Sequence, residues 1–155
     1  MGEATKLIFR AMTTADVGMV ANLEKEAFPD QWDEVMLLNE MSNCLAKYIV
    51  LEVEDSLVGY AGFWLIAGEA QITRVAIAKD FQGRGLGKKL TKAMLQLAWD
   101  SDAYGVTLEV RASNASAQRV YADCGFVQEG VRPGYYADNN EDAVIMWCYR
   151  EASNE

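Results

Sequence analysis

The sequence predicts an α/β fold in which helices flank a central mixed, mostly antiparallel sheet. Segments rich in β-branched and aromatic residues alternate with segments whose apolar residues recur at helical spacing. Their order is a strand, two helices, three strands, a loop with a helix, a strand, a helix and two strands, which is typical of helices covering a sheet. With 155 residues, two prolines and no Gly/Ser-rich linker, the chain is expected to form one domain over residues 1–155.

The first half of the chain is expected to hold one strand and two helices before a hairpin. Residues 7–12 are the first strand, Thr13 or Thr14 caps the first helix, and Pro29 with Asp30 ends it. The face predicted to be buried carries Val17, Val20, Ala21, Leu23 and Ala27. The face predicted to meet solvent carries Asp16, Glu24 and Lys25. Asp33 is expected to cap a second helix, with inward-facing Val35, Leu38 and Met41.

The remaining elements follow from alternation and from turn residues. Strands are predicted over residues 47–54 and 57–67, joined by a tight turn at Asp55-Ser56, and over residues 70–78. A helix follows with an apolar stripe of Leu86, Leu90, Met94 and Leu97. A strand over residues 106–111 leads to a helix over residues 115–124, which buries Ala117, Val120, Tyr121 and Cys124. Gly125 ends that helix, and strands over residues 126–131 and 143–149 complete the fold.

Composition excludes several classes of function. The chain has no histidine, so a Ser-His-Asp centre, a Cys-His centre and a His-ligated metal site are all excluded. Its three cysteines form no C-x-x-C pair, so neither a zinc ribbon nor a disulfide framework is predicted. A formal net charge of −9 argues against a direct nucleic-acid partner, which would need a basic face. Acid–base chemistry would have to use carboxylates, tyrosines, lysines, cysteines or water.

Cellular location is predicted from what the sequence lacks. Residues 1–6 do not have the charged start and apolar core of a signal peptide, and the longest apolar run, residues 57–67, is too short to span a bilayer. We therefore expect a cytoplasmic protein with reduced thiols, no membrane association and no bound metal. It is expected to be a monomer or a weak homodimer.

A glycine-rich loop is the first candidate for a binding site. Gly83, Gly85 and Gly87 alternate between a predicted strand and a predicted helix, where free backbone N–H groups favour an anion. The loop does not match the dinucleotide-binding motif, because Lys88 occupies the position of its third glycine. It does not match the P-loop motif either, because Gln82 occupies the first glycine position and Lys89 the Ser/Thr position. Residues 79–92 carry a net charge of +4 and the rest of the chain −13. A pyrophosphate-binding loop of another kind and a flexible turn before a solvated lysine face both remain open.

Residues 82–87, Gln-Gly-Arg-Gly-Leu-Gly, fit the Q/R-x-x-G-x-G/A loop of the GNAT superfamily of acetyl-CoA-dependent N-acetyltransferases. The chain resembles that superfamily in its order of elements over nearly its whole length. The resemblance implies that acetyl-CoA is the cosubstrate and that the loop amides hold its pyrophosphate. The implied binding residues are Gln82, Gly83, Arg84, Gly85, Leu86, Gly87 and Lys88. The strand through Val75, Ala76 and Ile77 would lie beside the pantetheine arm, where its N–H groups would polarise the thioester carbonyl.

The second half of the chain carries a closer resemblance. The run Leu-Glu-Val-Arg-Ala-Ser-Asn over residues 108–114 is followed by Ala117, Tyr121, Gly125-Phe126, Arg132, Tyr135-Tyr136 and Glu141-Asp142-Ala143. This pattern is similar to the ribosomal-protein-alanine N-acetyltransferase family, whose members acetylate the N-terminal alanine of a small-subunit ribosomal protein. The resemblance implies that a ribosomal protein or another peptide N-terminus is the acceptor. It also implies direct transfer of the acetyl group in a ternary complex.

The resemblance assigns Glu109 as the catalytic base and Tyr121 as the acid that serves the leaving thiolate. Glu109 lies in an alternating run, with Leu108 and Val110 on the opposite face of the strand. The alternative to a catalytic base is therefore an ordinary surface glutamate on a half-exposed sheet. For Tyr121, core packing is the alternative. Asn114 could cap the following helix, hydrogen-bond to pantetheine, or do both.

The acceptor side is expected to involve two segments. Trp32 lies in the region between the first two helices, which lines the acceptor pocket in the family, and Tyr135, Tyr136 and Asp138 lie in a loop before the last strand. Arg74, where the family usually has asparagine, and the altered turn at residues 29–33 keep a small-molecule amine open, either a polyamine or an amino sugar. A non-catalytic acyl-CoA-binding module is the third interpretation, and the presence of both Glu109 and Tyr121 speaks against it.

Overall fold

The strands and helices follow the predicted order in a computed structural model that describes residues 5–151. The strands are β1 (Leu7–Ala11), β2 (Ala46–Val53), β3 (Ser56–Ile66), β4 (Glu69–Ile77), β5 (Gly105–Arg111), β6 (Val127–Tyr136) and β7 (Glu141–Tyr149). The helices are α1 (Val17–Ala27), α2 (Glu34–Met41), α3 (Leu86–Asp100) and α4 (Ala115–Asp123). Short 3₁₀ turns precede α1 and α3. The prediction about a signal peptide involves residues 1–4, which lie outside the described residues.

The seven strands form one mixed sheet in the order β1-β2-β3-β4-β5-β7-β6. Every neighbouring pair is antiparallel except β4 and β5, which are parallel. That pairing covers three residues of β4, from Glu69 to Gln71, and then stops. The carboxyl halves of β4 and β5 therefore part, and a cleft opens in the middle of the sheet.

Helices cover the sheet on two faces and produce two cores. On one face, Leu90 and Met94 of α3 pack with Val106 and Leu108 of β5. On the other face, Val20 of α1 and Leu37 of α2 pack with residues of β2 and β3. The apolar face predicted for α1 and the first part of the stripe predicted for α3 are confirmed, because hydrophobic burial follows the helical period.

The solvent face predicted for the first helix is wrong at two positions. Asp16 is only 7% exposed and forms an ion pair of 2.8 Å with Arg10, while Glu24 is fully buried against Arg74. The helical period predicts which side of a helix faces inward, but a carboxylate can occupy that side when another element supplies a cation. The partners here come from β1 and β4, so α1 alone gives no sign of them.

The inward face predicted for the second helix is wrong at Val35 and Leu38 and right at Met41, which packs against the core. Val35 and Leu38 are 67% and 45% exposed, whereas Leu37 is 1% exposed. The buried face of α2 passes through Leu37 and the half-buried Met41, which are four residues apart and therefore neighbours on the helix surface. The predicted cap is confirmed, since the Asp33 carboxylate accepts a hydrogen bond from the Met36 N–H at 2.9 Å.

The loop predicted before the last strand is largely strand. β6 continues to Tyr136, so Tyr135 and Tyr136 belong to the β6–β7 hairpin, and the turn covers only the residues between Tyr136 and Glu141. An irregularity in the β6–β7 pairing between Arg132 and Tyr136, together with the left-handed backbone of Gly134 (φ +60°), bends the hairpin at this end. A short alternating run next to Pro133 does not predict this extension.

No helix within residues 5–151 is long and apolar enough to cross a membrane.

Candidate active site

The glycine-rich loop lies between β4 and α3 and has an open, glycine-dependent backbone. Gly83 and Gly85 have φ angles of +78° and +77°, in the left-handed region that side chains disfavour, and Gly85 is the N-cap of α3. A Cβ atom added at Gly83, Gly85 or Gly87 would meet no described protein atom within 4 Å. The space beside these three glycines is therefore free of described protein atoms, which leaves room for a ligand against the backbone.

The start of α3 suits an anion. The N–H groups of Leu86, Gly87 and Lys88 precede the first helical hydrogen bond, in which the Lys89 N–H donates to the Gly85 carbonyl at 3.3 Å. The first turn of α3 carries no acidic side chain. Among the described residues, no carboxylate pairs with any cation of the loop and helix, namely Lys79, Arg84, Lys88, Lys89 and Lys92. Free N–H groups and cations without a carboxylate partner are the features of an anion-binding site.

The end of β4 directs backbone groups into the cleft. The Ala78 N–H donates to the Val58 carbonyl of β3 at 2.7 Å, so by strand alternation the N–H of Ala76 also points toward β3. The N–H groups of Val75 and Ile77 then point toward the cleft. The Gln82 amide donates to the Ile77 carbonyl at 3.1 Å, which agrees with this direction and ties the glycine-rich loop to β4. Of the three predicted strand positions, Val75 and Ile77 thus present N–H groups to a ligand.

Glu109 lies on β5, beside the cleft, on the face opposite Leu108 and Val110. Its carboxylate is 3.3 Å from the Arg132 guanidinium of β6. Interaction with the same carboxylate raises the pKa of Tyr135, which places the Tyr135 hydroxyl beside it. Glu109 is therefore an accessible carboxylate in a polar setting. This geometry allows it to accept a proton from a ligand.

Tyr121 lies on α4, and its ring packs edge-on against Phe126 at 5.7 Å between centroids. Burial raises the pKa of Tyr121 to about 12, so its hydroxyl is protonated at neutral pH. That hydroxyl makes no hydrogen bond to any residue between 5 and 151. It is therefore an unused donor, as a group that protonates a leaving thiolate must be. Both the packing role and the donor role are compatible with this placement.

Asn114 performs the capping role that the sequence predicts. Its side-chain oxygen accepts a hydrogen bond from the Ala117 N–H at 3.2 Å, at the start of α4. The predicted contact between its amide group and pantetheine stays a prediction.

Tyr136 connects the two sides of the candidate site. Its phenol is within electrostatic range of Glu109 and of Asp30, a residue of the segment between α1 and α2. It is also within range of Tyr121, whose pKa it helps to raise. Burial is the main reason that the pKa of Tyr136 itself is raised. Tyr136 is therefore within electrostatic range of both predicted catalytic residues, Glu109 and Tyr121.

Arg111 fixes the β6–β7 hairpin beside this opening. Its guanidinium lies 4.0 Å from the centre of the Tyr136 ring and pairs with Asp138 at 2.9 Å and with Glu141 at 3.4 Å. Asp138, predicted to contact the acceptor, is thus engaged with Arg111. Sequence reasoning gave Arg111 no role, although an arginine at the end of a strand beside acidic residues is a recognisable signal.

The segment between α1 and α2 closes the other side of the site. We call residues 28–33 the acceptor turn. Arg74 of β4 lies beneath it, between the rings of Phe28 and Trp32, at 4.2 and 4.3 Å from their centres. Arg74 is only 9% exposed, so the structure places it under the turn rather than on the accessible surface. Trp32 is half-buried and borders a shallow cavity of about 330 Å³ on the outer side of the turn.

Within residues 5–151, no group of three or more cysteine, aspartate or glutamate side chains is arranged to hold a metal ion.

The sequence matches the family model of the acetyltransferase (GNAT) family over residues 17–126. It is 38% identical over 144 residues to a Bacillus subtilis (strain 168) protein provisionally named ribosomal protein bS18-alanine N-acetyltransferase, covering 92% of this chain and 95% of that protein. It is 30% identical to the Salmonella typhimurium protein of that name, covering 87% and 92% of the two chains. The crystal structure of the Escherichia coli ribosomal-protein-S18-alanine N-acetyltransferase superposes with a TM-score of 0.87 at 26% identity, covering 97% of each chain.

The chain therefore belongs to the GNAT family of acetyltransferases and is an N-acetyltransferase. Within that family, it is similar to enzymes named for acetylating the alanine of ribosomal protein bS18. GNAT acetyltransferases use acetyl-CoA as cosubstrate, and the open, cationic loop at the start of α3 fits its pyrophosphate. The predicted fold and enzyme class are confirmed, and the interpretation as a non-catalytic binding module is not supported.

Proposed function

We propose that this enzyme transfers the acetyl group of acetyl-CoA directly to the N-terminal amine of an alanine, on a small-subunit ribosomal protein, in a ternary complex. The observation that carries the proposal is the cleft where β4 and β5 part, with Glu109 of β5 on one side and the N–H groups of Val75 and Ile77 beside the open glycine-rich loop on the other. The names of the relatives in Bacillus, Salmonella and Escherichia support a ribosomal acceptor.

Acetyl-CoA supplies the acetyl group as a thioester. The loop amides from Gly83 to Lys88 and the side chains of Arg84 and Lys88 bind the pyrophosphate, while Gln82 holds the loop against β4. The N–H groups of Val75 and Ile77 hydrogen-bond to the pantetheine arm and to the thioester oxygen, where negative charge develops during transfer. The Asn114 amide contributes a further hydrogen bond to pantetheine.

Glu109 and Tyr121 move the protons. Glu109 takes a proton from the acceptor ammonium, directly or through one water, so that the nitrogen lone pair can form the new C–N bond. Once the C–N bond has formed, the nitrogen releases its second proton to solvent. Tyr121 donates its hydroxyl proton to the sulfur as the C–S bond breaks and regains a proton from solvent, so that one proton is released overall by way of Glu109. Because the pKa of Tyr121 is about 12, the hydroxyl is almost fully protonated at the start of each cycle. The products are an N-acetylated amine and free coenzyme A.

The acceptor lies between the acceptor turn and the β6–β7 hairpin. Trp32, Tyr135 and Tyr136 provide aromatic surface to the first side chains of the peptide. Asp30, Glu109 and Asp138 lie on this side, each within 4 Å of an arginine, so an acceptor ammonium would compete with Arg74, Arg132 and Arg111 for their oxygens. Arg74 lies beneath the acceptor turn, on the same side. The net charge of −9 on the whole chain would also attract a basic ribosomal protein.

A polyamine is the second candidate acceptor, favoured by the same acidic residues. The Asp30 side chain is 77% exposed and only 3.7 Å from Arg74 at its nearest, so it is open to an ammonium group of a small molecule, whereas Asp138, 49% exposed, would first have to leave Arg111. An amino sugar has fewer charges to use in this way. A peptide acceptor can pack its first side chains on the Trp32 ring, whereas a polyamine has no side chains to pack there.

Steady-state kinetics with an alanine-starting ribosomal peptide and with spermidine test the proposal. We expect the peptide to be the better acceptor, and Glu109→Gln to lower kcat about a hundredfold or more, since a positioned base contributes about 10²–10⁴. Glu129→Gln is the matched control, because Glu129 is an exposed strand carboxylate that hydrogen-bonds to Tyr149 at 3.0 Å. Wild-type turnover of Glu109→Gln would contradict the assigned base, and preference for spermidine would favour the second candidate.

A further inference from the structure

A fully buried carboxylate, Glu24 of α1, has no part in the chemistry proposed above. Its exposed fraction is 0%. One oxygen accepts a hydrogen bond from the Trp32 N–H at 2.8 Å and lies 3.2 Å from the Arg74 guanidinium. The other oxygen accepts a hydrogen bond from the Tyr60 hydroxyl. A buried charge is retained in a fold only when it is compensated in this way, so each of these contacts constrains its partner.

Arg74, the partner of Glu24, directs its remaining contacts at the acceptor turn. Its guanidinium donates to the Asp30 carbonyl at 2.8 Å and lies between the rings of Phe28 and Trp32. Its Nε is buried without a hydrogen-bond partner among the described residues. Arginine therefore occupies this position for its planar shape and its outer N–H groups rather than for contact with solvent.

The acceptor turn depends on these contacts because it has little regular structure of its own. Residues 28–33 belong to no helix or strand. Glu24 and Arg74 hold one backbone N–H, one backbone carbonyl and two aromatic rings of the turn. The turn borders the candidate site because its Asp30 is held by Arg74 of β4, the residue before Val75, whose N–H points toward the cleft. A change at Glu24 is therefore transmitted to the acceptor side of the cleft, whereas the loop at α3 touches neither residue.

We propose that Glu24 and Arg74 are a pair of positioning residues that fix the acceptor turn in the shape that receives the amine. Neither residue contacts the reacting atoms. The pair sets the affinity for the acceptor and leaves the binding of acetyl-CoA unchanged. This inference rests on the proposed function, since it assigns the turn to the acceptor.

Two variants and one control test the pair. Glu24→Gln keeps the size of the side chain and removes the charge opposite Arg74. Arg74→Lys keeps the charge and removes the planar group between the two rings. Asp16→Asn is the matched control, because Asp16 is also a buried carboxylate, at the start of α1, and pairs with Arg10 away from the acceptor turn. For each protein, acceptor KM, kcat, acetyl-CoA Kd by calorimetry and amide exchange by mass spectrometry are measured.

We expect Glu24→Gln and Arg74→Lys each to raise acceptor KM about tenfold to a hundredfold, since small displacements of positioning groups have effects of that size. Acetyl-CoA Kd should stay at the wild-type value, and amide exchange should rise within residues 28–33. Asp16→Asn should leave acceptor KM and exchange in the turn unchanged. If Glu24→Gln fails to fold, Arg74→Lys decides the question.

An unchanged acceptor KM in either folded variant overturns the proposal, and so does a parallel rise in acetyl-CoA Kd. A wild-type protein that acetylates neither peptide nor spermidine contradicts the proposed function instead. Amide exchange still decides in that case whether the pair holds the turn, and unchanged exchange in residues 28–33 overturns the positioning role.

Discussion

The ring of Tyr121 has a packing role, whereas the predicted chemical role belongs to its hydroxyl group alone. The ring packs against Phe126, and the hydroxyl has no partner among residues 5–151. Tyr121→Phe should therefore retain thermal stability and lose about a hundredfold in kcat, the lower end of what a positioned acid contributes. Acetyl-CoA Kd should change little. Differential scanning fluorimetry with steady-state kinetics checks both quantities, and full activity in the variant would leave Tyr121 with packing alone.

The roles of single residues could be predicted from the sequence only in part. Glu109 and Tyr121 could be chosen because the resemblance assigns their roles, and those roles stay predictions. Glu24 could not be chosen, since a glutamate in an amphipathic helix normally faces water and its partner Arg74 lies on a distant strand. Burial of a charge depends on tertiary contacts, which the helical period does not contain.

At the scale of elements, α3 gives a test that separates folding from binding. Gly87 lies in its first turn, has no positive φ angle, and would place an added Cβ atom more than 4 Å from any described atom. Gly87→Ala should therefore raise the free energy of unfolding, by up to about 1 kcal/mol from helix propensity. The same methyl group would project into the open space beside the glycine-rich loop, where we propose that the pyrophosphate binds, so affinity for acetyl-CoA should fall.

Gly18→Ala in α1 is the control for this prediction, because its nearest neighbour would be a glutamate oxygen at an ordinary 3.7 Å and the site is far from the loop. Urea unfolding and calorimetry with acetyl-CoA measure the two effects. Unchanged affinity in Gly87→Ala would show that the cofactor does not approach the backbone at this position.

The pairing of β2 and β3 depends on a second glycine. A Cβ atom at Gly62 would lie 2.0 Å from the ring of Tyr48, which is buried and stacks on Tyr60. Gly62→Ala should therefore lower the free energy of unfolding by about 1–3 kcal/mol, the usual cost of overpacking a core. Gly130→Ala in β6 is the control, with an ordinary contact of 3.5 Å. Equal stability of the two variants in urea would contradict the predicted clash.

The order and type of the elements could be predicted because their signals are local. Asp33, Asn114 and Gly125 mark helix ends, and their roles are confirmed. The orientation of α2 and the length of β6 could not be predicted. Five of the eight residues of α2 are apolar and lie on several sides of the helix, so periodicity does not select one face, and β6 is extended by pairing with β7 rather than by its own composition.

At the scale of the whole molecule, charge divides the protein into a cationic loop region and an acidic remainder. The absence of histidine implies little change in stability with pH between about 6 and 8, where no other unperturbed side chain titrates. At acidic pH, by contrast, the stability of the fold should change. A hydrogen bond from Arg10 lowers the pKa of Asp16, and hydrogen bonds from Ser113 lower the pKa of Glu141 to about 2.

Carboxylates with lowered folded-state pKa values stabilise the fold above their unfolded-state pKa values and lose that contribution as the pH falls. The free energy of unfolding should therefore fall steadily below about pH 4.5, as Asp16 and Glu141 protonate. Urea unfolding at a series of pH values measures this decline. Asp16→Asn should be less stable at neutral pH and should lose less on acidification. A parallel decline in the wild type and in this variant would exclude a contribution from Asp16.

The identity of the acceptor is decided by a competition assay. The purified enzyme is given acetyl-CoA with equal concentrations of an alanine-starting peptide of a small-subunit ribosomal protein and spermidine, and the products are identified by mass spectrometry. We predict one acetyl group on the peptide N-terminus, lost in Glu109→Gln and retained in Glu129→Gln. Acetylation of spermidine with an unmodified peptide would contradict the proposed acceptor.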